Sequence, residues 1–305
     1  MIRHEHDVPY GDGAVRVREY EGSGPAVFLV HGAGFCALCW DQLVPLFEGR
    51  LHPFAIDLPG HGASRARMRR PSDAWQSIIA ATKHLELASP LLVGLNAGGQ
   101  ACLFAAAEHR DAYAGVVTLG GACVRSRTSA EDDVAFYTSE SFKEVLRQRF
   151  FFGSTGTDQR DIEHLVDKMS ARLPSDWRVQ GCTGLLEEVR YSIRPRRDGE
   201  DGWVHLPLPD TITTMLTAAP TDRLYPDESI YRRIDVPVRI VQLTEGLDQG
   251  YAEREREMAA RNPRVSIRTL DTGDYPHYTR PEETAAILLE TCGVAPQWDV
   301  QPVHD

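Results

Sequence analysis

The chain has 305 residues, 42% hydrophobic and 25% charged, with a formal net charge of −11 and a sequence pI near 5.5. That balance suits a globular protein with a sizeable core and excludes a nucleic-acid surface, which needs clustered Lys and Arg against phosphate. No segment approaches the roughly 18 consecutive apolar residues that span a bilayer, and the N-terminal residues hold no apolar run, so a cytoplasmic location is expected.

Residues 7–21 alternate polar and apolar about Gly11-Asp12-Gly13 and read as a hairpin. Ala26-Val27-Phe28-Leu29-Val30 is a continuous apolar run ending in His31-Gly32, the pattern of a strand buried on both faces and hence of a parallel sheet. Cys36-x-x-Cys39 follows in a loop entering a helix. Without a second Cys or His pair to complete a zinc site, it reads as two small residues filling that junction. Phe54-Ala55-Ile56-Asp57 is a short strand, followed by a turn with Pro59-Gly60-His61-Gly62. Ser72 is the expected N-cap of a helix with apolar positions at Trp75, Ile78, Ile79, Ala81 and Leu85.

Residues 90–106 read as buried strand, sharp turn and apolar helix in immediate succession. In Gly94-x-Asn96-x-Gly98-Gly99 the glycines let a strand reverse into a helix within a few residues, leaving Asn96 at the tip on a strained backbone. Gly115 to Gly121 is another buried strand. From 125 to 233 charges become frequent, helical patterns appear at 139–151, 158–172 and 184–193, and a turn with a short strand is expected near 196–206. Aromatic residues are numerous there, among them Phe136, Phe151 and Trp177. Strands return at 238–243 and 265–270, separated by a helix around 251–261, and a helix from Pro281 to Cys292 closes the pattern.

His31-Gly32-Ala33-Gly34, Asp57-Leu58-Pro59-Gly60-His61-Gly62 and the turn at Asn96, in that order, resemble the α/β-hydrolase fold superfamily over nearly the whole chain. The resemblance implies an α/β fold, a mostly parallel doubly wound sheet with an inserted, mainly helical cap. Its core would comprise residues 1–124 and 234–305, and its cap 125–233. It also implies a nucleophile at the turn, an acid after the seventh strand and a His after the eighth. Here the triad is degenerate: Asn96 stands at the nucleophile position and Asp274 at the catalytic His position. The acid position falls near Gly246, with Glu245 and Asp248 either side and the choice open. His277, three residues past Asp274, is a third catalytic candidate.

A carboxamide has no proton to lose near neutral pH and cannot form an acyl intermediate, but it can donate and accept hydrogen bonds. The resemblance further implies an oxyanion hole from the Ala33 and Ala97 amides, with His31, Phe35, Phe136, Phe151, Trp177 and Tyr275 contacting substrate. The expected function is therefore non-hydrolytic: cyclisation, C–C bond chemistry or cofactor-independent oxygenation on an aromatic or polyketide-type small molecule, with Asp274 moving a proton. The alternatives are a non-catalytic small-molecule binder and an atypical hydrolase using His277. No cofactor or metal motif is present, so no cofactor, no metal, no nucleic acid and no membrane are expected. A small molecule is the expected partner, and a homodimer is left open.

Overall fold

The computed structural model describes residues 1–173, 184–196 and 200–296; of Leu247 and Asp248 only the backbone is described. The chain opens with β1 (Ile2–Tyr10), β2 (Gly13–Tyr20), β3 (Ala26–Val30), β4 (His52–Asp57), α1 (Asp73–His84), β5 (Leu91–Leu95), α2 (Ala97–Glu108) and β6 (Gly115–Leu119). An insertion follows, with α3 (Ala130–Thr138), α4 (Glu140–Phe150), β7 (Thr155–Gly156), α5 (Gln159–Arg172), α6 (Leu185–Tyr191), β8 (Ile193–Pro195), β9 (Trp203–His205) and α7 (Pro209–Leu216). The chain then returns through β10 (Val238–Leu243), α8 (Ala252–Arg261), β11 (Val265–Leu270), α9 (Pro276–Thr279) and α10 (Pro281–Thr291).

Among the described residues the main sheet has eight strands in the order β1-β2-β4-β3-β5-β6-β10-β11. The β1–β2 and β2–β4 pairs are antiparallel, and from β4 onward every neighbouring pair is parallel. The continuous apolar runs follow from burial on both faces. Along β3, Phe28 and Val30 pack with α1 and α2, whereas Val27 and Leu29 pack on the opposite side with Trp40, Leu43 and α10. No helix of the described residues is long and apolar enough to cross a membrane.

Three local expectations need correction. Ser72 makes no capping bond; Asp73 instead accepts from the Arg69 and Arg70 amides at 2.8 and 3.0 Å. The loop after β3 forms two 3-10 turns, Ala37–Trp40 and Val44–Phe47, rather than a helix. The insertion carries a three-stranded antiparallel sheet, β7-β9-β8, where one short strand was expected.

Candidate active site

Asn96 sits between β5 and α2 with φ 46° and ψ −116°. A positive φ at a non-glycine residue is strained, and its neighbours hold it there. The Asn96 N–H donates to Leu119 O at 3.1 Å, and its carbonyl accepts from Gly99 N at 2.8 Å. A Cβ on Gly98 would run into the His31 and Val30 carbonyls, and one on Gly121 into the Asn96 carbonyl. These glycines allow the turn, the end of β3 and the end of β6 to touch. A Cβ on Gly32 would lie 3.7 Å from Asn96 Cβ, which places the 31–33 turn against the turn at Asn96, the elbow between β5 and α2. The first amide of a helix has no intrahelical acceptor, so the Ala97 N–H is outside the ladder. The Ala33 amide likewise donates to no backbone acceptor among the described residues.

Asn96 and Asp274 line one small crevice at the carboxyl ends of β6 and β10, with Gly120, Gln242, Gly246 and Glu255. Asn96 Nδ2 donates to the main-chain oxygen of Asp274 at 3.4 Å. Asp274 is only 5% exposed, and a Cβ at Gly246 would stand 3.0 Å from its Oδ1. The side-chain space of Gly246 thus borders the Asp274 carboxylate. Glu245 is exposed and does not line the crevice; the side chain of Asp248 and all of Trp177 lie outside the described residues.

Sequence reasoning missed Gln242 and Glu255. Gln242 Nε2 donates to Glu255 Oε2 at 2.6 Å, which brings a second carboxylate into the crevice wall. Nothing in the charged run Ala252–Arg261 distinguishes Glu255 from its exposed neighbours.

His277 does not face the crevice. It is fully buried among Phe35, Trp40, Tyr275 and Tyr278, with ring centroids 4.3 to 6.4 Å away. Neither ring nitrogen has a hydrogen-bond partner among the described residues. Burial pushes its pKa down to about 3, so it is a neutral core ring.

His31 is also corrected, because it is fully buried rather than placed to touch substrate. Its Nδ1 faces the Gly32 carbonyl at 2.8 Å and so carries the proton, while Nε2 accepts from Leu58 N at 3.0 Å. His61 lies 4.9 Å from it, with Nε2 accepting from Gly34 N at 3.4 Å. The two neutral rings fasten the turn after β3 to the turn after β4.

Of the aromatic candidates, Phe35 and Tyr275 meet edge to face at 5.1 Å and join the turn after β3 to the Asp274 segment. Phe136 is 59% exposed on α3, and Phe151 packs into the insertion's own core with Trp203 and Met169. Neither lines the crevice of Asn96 and Asp274. The insertion instead reaches the elbow region through Phe152 and Ile212, which pack over Gly34 and Ala33. A second, more apolar groove begins at Ala97 and runs past Trp75, Phe104, Met215, Leu216 and Leu224. Among the described residues no group of three or more His, Cys, Asp or Glu is gathered as metal ligands would be.

The insertion is pinned from α6 at two points. Glu188, 4% exposed, accepts from the Tyr278 hydroxyl and from Cys36 N at 3.4 Å. Burial pushes its pKa up to about 8. One turn on, the Tyr191 hydroxyl donates to Asp57 Oδ2 at 2.8 Å. Asp57 also accepts from the Ala37 and Ala63 amides at 2.7 and 2.8 Å.

A sequence profile described as the alpha/beta hydrolase family matches residues 27–287. Among curated proteins, a pimeloyl-[acyl-carrier protein] methyl ester esterase of Chromobacterium violaceum is 36% identical over 90 residues, 30% of this chain and 34% of the relative. The chain therefore spans about a third of that relative's length. An (E)-2-((N-methylformamido)methylene)succinate hydrolase of Acinetobacter baylyi is 26% identical over 202 residues, 64% of this chain and 73% of the relative. Among solved structures, E-2-(acetamidomethylene)succinate hydrolase superposes with a TM-score of 0.71 at 18% identity, over 95% of this chain and 99% of that one. These relatives carry hydrolytic names, which overturns the expectation of non-hydrolytic lyase, cyclase or oxygenase chemistry.

Proposed function

Because the chain belongs to the alpha/beta hydrolase family, we propose that it hydrolyses an acyl bond of a small carboxylic ester, lactone or amide by direct attack of water rather than through an acyl-enzyme. The observation that carries this reading is the crevice shared by Asn96 and the buried Asp274. Asn96 cannot be the nucleophile, so the attacking oxygen must come from solvent. Asp274, as carboxylate, accepts the proton of that water while the Asn96 carboxamide holds it in place. The Ala33 and Ala97 amides polarise the substrate carbonyl and take up the negative charge of the tetrahedral intermediate, helped by the positive end of α2. The groove beginning at Ala97 receives the apolar part of the substrate.

The test is hydrolysis of a panel of short esters, lactones and amides in oxygen-18 water, followed by mass spectrometry of protein and product. One label in the product carboxylate and no acyl adduct on the protein are expected. Asp274→Asn should lower turnover roughly 10²–10⁴-fold, the usual contribution of a positioned base. An accumulating acyl-enzyme, or a variant as active as the parent, overturns the reading.

A further inference from the structure

We infer that Asn96 is a self-modification site, deamidated by the native fold through attack of the Ala97 main-chain nitrogen on the Asn96 side-chain carbonyl carbon. The inference rests on the elbow torsions and does not depend on the hydrolytic reading. A five-membered imide containing Cα, Cβ, Cγ, the main-chain carbonyl carbon and the next nitrogen requires Cβ and that nitrogen to eclipse each other about the Cα–C bond. For an L-residue, the tetrahedral offset between N and Cβ puts this eclipse near the observed ψ of −116°. Helical and extended residues are far from it, which is why ordinary folds protect asparagine. Here the contacts that strain the elbow hold one of the two torsions of ring closure ready-made.

The surroundings favour the remaining steps. The Ala97 N–H, as first amide of α2, gives up no intrahelical bond when its nitrogen is acylated. The helix terminus stabilises negative charge on that nitrogen. Asn96 is partly exposed, so water reaches the ring, and Ala97 adds only a methyl group beside it. The departing nitrogen, Nδ2, points at the Asp274 main-chain oxygen at 3.4 Å.

In the first step a bond forms between Ala97 N and Asn96 Cγ. The Cγ–Nδ2 bond breaks, and ammonia leaves with the proton from Ala97 N. Water then adds to Cγ and breaks the new Cγ–N bond, which restores the peptide and leaves aspartate at 96. Addition to the main-chain carbonyl instead leaves the isoaspartyl linkage. The net change is amide plus water to carboxylate plus ammonium, with no oxidant or reductant. The aspartate product places a carboxylate at the tip of the elbow, where the encoded side chain has none.

The sequence makes the reaction unusually easy to read. It contains two asparagines, and the second, Asn262, precedes Pro263, which has no N–H to close a ring. Imide-mediated deamidation of the whole chain therefore reports on position 96. The experiment incubates the purified full-length protein in mildly alkaline buffer, natively and in denaturant, and follows the peptide containing position 96 by mass spectrometry. Hydroxylamine traps the imide.

A gain of about 1 Da at position 96, with a trappable imide, is expected in the native protein. It should form roughly tenfold faster there than in the denatured chain, because the backbone entropy of closure is already spent. Asn96→Gln, whose ring would be six-membered, should not show it. Equal or faster conversion in denaturant overturns the inference, as does a native protein that stays unmodified while the denatured chain converts.

Discussion

At the scale of single residues, His277 shows how a motif position changes meaning when its surroundings are known. Both ring nitrogens are buried without partners among the described residues, and an unmade buried hydrogen bond costs about 1–3 kcal/mol. His277→Phe should therefore leave stability at neutral pH unchanged or raise it by up to about 1 kcal/mol, with any overfilling of the site offsetting part of the gain. Turnover should be unaffected. Urea unfolding and a rate assay check this, and a large loss of turnover would restore His277 as a catalytic candidate. The turn at Asn96 was legible in the sequence from its flanking glycines, and Asp274, singled out by the resemblance, lies in the same crevice. Gln242, Glu255, Phe152 and Ile212 were not legible, because a helix or loop residue acquires its role here only from which distant segment packs against it.

At the scale of elements, the buried strands were legible from their apolar runs, and three insertion helices were found near their true bounds. Helices α3 and α7 were not. Only Ala130 of α3 is buried, so it lacks the apolar stripe that sequence reading relies on. Helix α7 begins at Pro209 without a side-chain cap. The attachment of α6 was equally invisible, since it depends on acid–phenol pairs formed across the fold. Tyr191→Phe removes one of the three donors that the described residues offer the buried Asp57 carboxylate and should cost about 1–3 kcal/mol. Thermal unfolding checks the size of the effect, and a variant as stable as the parent would show that the pair contributes nothing net to holding α6.

At the scale of the whole molecule, stability should depend on pH through groups that folding keeps neutral. Burial lowers His31 and His205 to about 4 and His61 and His277 to about 3, from 6.5. Below 6.5 the unfolded chain binds protons that the folded one refuses, so stability falls as pH falls. Each histidine contributes about 1.4 kcal/mol per pH unit until its folded value is reached. Glu188 has the opposite sign. Its folded value near 8 lies above the unfolded 4.5, so its contribution is complete below 4.5 and is lost as pH rises toward 8. The four histidines outweigh it below 6.5, and the unfolding temperature should drop steeply on acidification from that point. Calorimetry across this range is the check; a flat profile between pH 6.5 and 5 would mean that these rings are not held neutral. His277→Phe should remove one histidine's share of the slope.

The glycine at 246 sets an order in which substitutions around Asp274 could be made. Any side chain added there meets the Asp274 carboxylate, so an acid introduced first would set two negative groups against each other. Exchange of Asp274 for histidine would have to come before it, and that intermediate would carry a base with no carboxylate at 246 to orient it. The effects of substitutions at the two positions should therefore be non-additive. Pairing an acid at 246 with a histidine at 274 takes both substitutions, with the one at 274 made first.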